Sequence, residues 1–134
     1  MSQKFLVDRG QSRERSLKRK VVMDRVFAEG HTAKAFPLLS RFVGVPKDGP
    51  APTRIAFTVS KRRFRKAVDR NRIKRLMRES WRHGRSVFEE SIAQRDQFAV
   101  VLIFVGSEIP TQEGMDRAMS RLLSRMNEAL PDSE

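Results

Sequence analysis

The chain contains no cysteine, which removes disulfides and thiolate metal sites together and fits a reducing compartment. The cytoplasm is therefore the expected location. Long apolar runs are missing as well: the longest, Phe98 to Val105, falls far short of the roughly 20 residues a membrane helix needs. The polar amino terminus has no hydrophobic signal core, so neither a spanning helix nor export is expected. Histidine is scarce, with only His31 and His83. Each stands alone in the sequence and reads as a surface or capping residue. Asp69 and Glu79 lie ten residues apart in one helical segment, where they temper local repulsion. A self-sufficient nuclease needs carboxylates gathered on a metal, or a histidine base beside a second catalytic group. Neither pattern is present, so no catalytic residue and no protein metal ligand is assigned.

What is abundant is positive charge, and it is localised. The net charge is +12. Residues 61–85 hold 12 Lys or Arg against 2 acids, residues 1–20 hold 7 against 2, and the remainder 9 against 12. Two basic segments on a slightly acidic body create a directional field suited to a polyanion. Nucleic acid is the first expectation and an anionic membrane surface the second.

With 134 residues, the chain is expected to form a single domain over residues 16–131, with a flexible basic arm at 1–15 and a tail at 132–134. Ser16 can cap a first helix running from Leu17 to about Glu29, on which Val22, Met23, Val26 and Phe27 share a face and Gly30 is the stop. Ala35 to Val45 reads as a strand in which Pro37 requires an edge or a strand start. "PKDGPAP" at 46–52 is a turn. Arg54 to Ser60 alternates as a strand, with Ile55, Phe57 and Val59 on one face. After the turn "KRRFRK" comes a helix over about 67–82, then a polar loop. "QFAVVLIFV" at 97–105 reads as a strand covered on both faces. The last helix starts near 111–113 and aligns Met115, Met119, Leu122, Leu123, Met126 and Leu130 before Pro131. The order helix, two or three strands, helix, strand, helix implies an α+β fold, an α-β sandwich.

The helix at 67–82 divides cleanly by angle. At about 100° per residue, Ile73, Leu76, Met77, Ser80 and Trp81 fall in one core-facing sector. Asn71, Lys74, Arg75, Arg78 and Arg82 form a second stripe, and Arg70 and Arg72 flank the apolar one. Like charges at i,i+4 repel by some tenths of a kcal/mol each. A phosphate backbone relieves that repulsion and adds the entropy of released counterions. The adjoining Lys61, Arg62, Arg63, Arg65 and Lys66 extend the candidate RNA-binding set. Phe64, among those cations, is suited either to stacking on a base or to the core.

"FTVSKRRFRKAVDRNRIKRLMRE", from Phe57 to Glu79, resembles the signature of the bacterial ribonuclease P protein component: Ser-x-Lys at a strand end, a short basic connection, Ala-Val, then Arg-Asn-Arg-x-Lys-Arg and Arg-Glu. "LKRKVVMDRVFAEG", from Leu17 to Gly30, resembles that family's first helix. The resemblance implies a fold like ribosomal protein S5 domain 2, with an unusual left-handed βαβ crossover through the basic helix, against the common right-handed rule. It implies a subunit of an endoribonuclease that removes the 5′ leader from precursor tRNA, the chemistry being carried by a catalytic RNA with Mg²⁺ held mainly by RNA and substrate. Arg70, Asn71, Arg72, Lys74 and Arg75 then face the catalytic RNA, with Lys74 and Arg78 also near the leader. The implied leader cleft lies between the first helix and the sheet, at Met23, Phe27, Lys34 and Arg41. Two departures stand out: Phe64 and one extra residue occupy a turn where many members have Gly, and Met23 replaces an aromatic. Met23 and Phe27 also fit plain core roles. The expected partners are ribonuclease P RNA and precursor tRNA, and no obligate protein partner is evident. The alternative is a general RNA-binding or ribosome-associated protein. A helix-turn-helix DNA reader fits less well, because a strand precedes the basic helix where that motif requires a helix.

Overall fold

The computed structural model describes residues 20–46, 49–93, 95 and 97–130, with side chains from Met23 onward. Its elements are α1 (Lys20–Glu29), β1 (His31–Ala35), β2 (Leu38–Val45), β3 (Thr53–Val59), α2 (Ala67–Gly84), α3 (Ser86–Ser91), β4 (Gln97–Phe104) and α4 (Gln112–Glu128). The strands form one sheet in the order β1-β2-β4-β3, antiparallel except for the parallel β4–β3 pair. The β3-α2-α3-β4 segment is therefore the one strand-helix-strand crossover among the described residues. Ser16, Leu17, the arm at 1–15 and the tail at 132–134 lie outside the described residues.

Strand alternation sorts the apolar residues into two layers. Leu38 and Phe42, Ile55, Phe57 and Val59, and Phe98, Val100, Leu102 and Phe104 face a large core closed by α2, α3 and α4. On the opposite face Val43, Val45, Ala56, Ala99 and Val101 meet Met23 and Val26 of α1. β4 is thus covered on both sides, which explains its unbroken apolar run. From α4, Met115, Met119, Leu122, Leu123 and Met126 enter the core as their spacing predicts, and Thr111 caps the helix by accepting from the Gly114 amide at 3.0 Å. Leu130 lies past the helix end, half-buried against the core.

Three expectations change. The strand predicted over 35–45 is the second arm of a hairpin: β1 precedes it, and Pro37 occupies the intervening turn after a cis Phe36–Pro37 bond. β1 has only five residues, and its buried side chains, Ala33 and Ala35, give little hydrophobic signal. The polar loop after α2 contains α3, whose Phe88 is fully buried, edge-on to Phe42 at 5.6 Å and to Phe98 at 5.9 Å. α2 itself runs to Gly84, two residues beyond the expected end. Gly30 does stop α1, for a reason of space: a Cβ there would lie 2.3 Å from the Val26 carbonyl oxygen and 3.3 Å from Phe42 backbone.

Candidate nucleic-acid interface

β3 delivers the chain to the basic turn, and Ser60 shapes it. The Ser60 hydroxyl accepts from the Arg62 and Arg63 amides at 3.2 and 3.4 Å, and its carbonyl accepts from the Phe64 amide at 3.1 Å. Phe64 is buried against Phe104, with ring centroids 5.9 Å apart, so it belongs to the core and is not available to a base. Burying Phe64 turns its cationic neighbours outward: Lys61, Arg62, Arg63, Arg65 and Lys66 are all exposed.

Two arginines of the predicted set are also engaged by the fold. Arg70 is half-buried and donates to the Phe64 and Arg65 carbonyls at 2.8 and 2.9 Å, clamping the turn onto the first helical turn of α2. Arg63 donates to the Val105 carbonyl, tying the turn to the segment after β4. Asn71, Arg72, Arg75 and Arg82 are exposed, and Lys74 and Arg78 of the outer stripe are half-buried. The buried residues of α2 are Ile73, Met77, Ser80 and Trp81, with Leu76 packed half-buried beside them. Helix periodicity thus separates the two faces as the angles predicted.

Acids modulate this face sparingly. Glu79 accepts from Arg82 at 2.5 Å and sits 2.9 Å from His83 Nε2. The Arg82 hydrogen bond, with the charges of Arg82 and His83, holds the Glu79 carboxyl below its ordinary range. His31 packs against Phe42 at 5.6 Å, in a different element from His83. Among the described residues no three His, Cys, Asp or Glu come together as a metal site.

The implied leader cleft maps to the sheet face covered by α1. Met23 is 8% exposed and belongs to the small core, whereas Phe27, four positions later, is 47% exposed. Arg41 donates to Thr32 Oγ1 at 3.0 Å and to the Phe27 carbonyl at 2.8 Å, fastening the carboxyl end of α1 to the sheet. Lys34 is exposed on β1. The strand registers reveal a feature that residue reading missed. Lys34, Leu39, Ile103 and Thr58 lie side by side across all four strands, and none is buried. In the next row Val101 and Ala56 are buried. α1 therefore leaves an open row across the sheet, ending at the β3 terminus that leads into the basic turn. Leu39 and Ile103 are apolar and alternate correctly, but only register places them together.

A mixed sheet with helices on both faces and a strip of exposed cations at the crossover defines an α+β sandwich. Comparison with known sequences and structures narrows the class. The profile described as Ribonuclease P matches residues 12–127. The ribonuclease P protein component of Porphyromonas gingivalis is 32% identical over 112 residues, covering 83% of this chain and 82% of that protein. The Staphylococcus aureus RNase P protein superposes with a TM-score of 0.63 at 18% identity, over 82% of this chain and 93% of the other. The Thermotoga maritima RNase P protein gives 0.53 at 21% identity, over 84% and 92%. The chain belongs to the bacterial ribonuclease P protein component family.

Proposed function

We propose that this chain is the protein subunit of a ribonuclease P ribonucleoprotein that removes the 5′ leader from precursor tRNA. The partner RNA carries the chemistry, an Mg²⁺-dependent phosphodiester hydrolysis, with the metal held by RNA and substrate. The protein contributes binding: the exposed cations of the basic turn and α2 hold the catalytic RNA, and the open row beside α1 receives the leader, with Lys34 and Arg41 as its cations. The cytoplasm is its place of action, and no obligate protein partner is required. The observation that carries this reading is the anchored α2 strip. Its buried residues Ile73, Met77, Ser80 and Trp81 anchor it to the core, so the exposed cations of 61–82 are presented as a fixed array and are not a loose basic tail.

Each cation seated on a phosphate releases counterions, so binding should weaken steeply with salt. The test is reconstitution with the host's catalytic RNA at low Mg²⁺, where added protein should raise precursor cleavage strongly, while protein alone gives none. Turnover by protein alone that survives Arg72→Ala would overturn the proposal. A general RNA-binding role would instead be supported by capture of ribosomal RNA without ribonuclease P RNA.

A further inference from the structure

Phe36 is 71% exposed, more than any other large hydrophobic side chain described. Its turn is nevertheless firmly held. The Val105 amide donates to the Pro37 carbonyl at 2.8 Å, and Arg121 of α4 reaches the Phe36 carbonyl at 3.4 Å. The ring borders a cavity of about 220 Å³ completed by Pro37, Gly106, Ile109 and Pro110. Gly106 permits the close packing beneath it, since a Cβ there would lie 2.8 Å from the Phe104 ring and 2.9 Å from Pro37 Cβ. The turn thus holds an exposed aromatic ring beside an open hollow of mixed lining, with Ser107 and Glu108 among its walls.

The surroundings select the occupant. Arg121 stands at the carbonyl of Phe36, Arg125 donates to the Lys34 carbonyl at 2.5 Å, and Arg63 reaches the Val105 carbonyl that neighbours the turn. Lys34 itself is exposed two residues away. Glu108, an exposed acid, also lines this hollow, so the cations outnumber the acids around the ring. Cations around one exposed ring favour a polyanion whose units carry flat faces, the arrangement by which single strands are bound without base-edge readout. Phe36 follows Lys34 by two residues, at the sheet edge where the uncovered row begins, within reach of a strand that leaves the row over that edge.

We infer that Phe36 is a nucleobase-stacking site for single-stranded RNA that has crossed the open row of the sheet. The inference rests on the proposed leader-binding role and adds to it a specific contact outside the cleft. The test uses the full chain reconstituted with its catalytic RNA and precursor tRNAs carrying one 2-aminopurine at successive leader positions. One position should be quenched when protein is added. Phe36→Ala should abolish that quench and weaken precursor affinity about fivefold or more, the low end expected for one stacked base. Affinity for leaderless tRNA and for catalytic RNA should stay unchanged, and Phe36→Trp should restore both signals. The thermal midpoint of each variant should match the parent, since the ring is exposed. If Phe36→Ala keeps the quench and the affinity while the parent still discriminates leader from no leader, this inference fails, the leader reading stands, and the patch is reassigned to a protein partner. If the parent shows no leader dependence, both fail.

Discussion

Arg70 and Arg72 stand two positions apart in one basic string and do different work. Arg70 is committed to two backbone carbonyls of the turn, while Arg72 is exposed. Charge-assisted hydrogen bonds to half-buried carbonyls are worth about 1.5–3 kcal/mol each at most, less when water can replace the donor. Arg70→Ala should therefore lower stability by about 1–3 kcal/mol in chemical denaturation. Arg72→Ala should stay within about 0.5 kcal/mol of the parent. Equal losses for both would mean that Arg70 does not hold the turn. Ile73, fully buried next to them, sets the opposite limit: Ile73→Asp brings a carboxylate into the core and should cost about 4 kcal/mol or more, read as loss of cooperative unfolding. From sequence, Arg70 and Arg72 were indistinguishable members of a charge run. Their difference depends on where the turn carbonyls point, which no residue spacing encodes.

At the scale of the element, α2 is the best case for reading structure from pattern and α3 the worst. An 18-residue helix samples five full turns, so its apolar sector repeats enough to be unmistakable. α3 has six residues, too few for a period to establish itself, and its one clear signal is the spacing of Phe88 and Ile92, both buried. Phe88→Ala should nonetheless cost about 3–5 kcal/mol, because the ring has no room to be replaced by solvent. On the outer face of α2, Arg72→Ala with Lys74→Ala should leave unfolding nearly unchanged and reduce the slope of log affinity against log salt by about 1 for each phosphate contact removed. An unaltered slope would move the RNA face elsewhere. Glu79 adds a modest pH effect of known sign. Its carboxyl is held below its usual range, by the Arg82 hydrogen bond first, so the unfolded chain binds that proton more tightly. Whatever the pair contributes is complete above the ordinary carboxylate range and disappears as pH falls through the lowered value. Because the carboxyl is open to solvent, Glu79→Gln should barely shift the thermal midpoint.

For the whole molecule, two layers of helix on one sheet were foreseeable from the order of elements, while the hairpin and the open row were not. Ala33 and Ala35 bury too little surface to announce a strand, and Pro37 looked like a flaw in β2 when it is the corner before it. The cleft residues follow the same logic. Phe27 and Met23 share a face of α1 in sequence, yet the sheet opposite buries Met23 and leaves Phe27 half out. Phe64, ringed by cations, offered equal cases for base and core until Phe104 was placed behind it.

The strand order β1-β2-β4-β3 has a consequence for synthesis. Among the described residues β4 is the strand that pairs with both β2 and β3, and it follows them in the chain. Until Gln97–Phe104 has left the ribosome, the hairpin and β3 have no common strand between them. A nascent chain thus carries its basic segment before the strand that completes the sheet beneath it, and the cations of 61–82 gain their fixed arrangement only when β4 arrives.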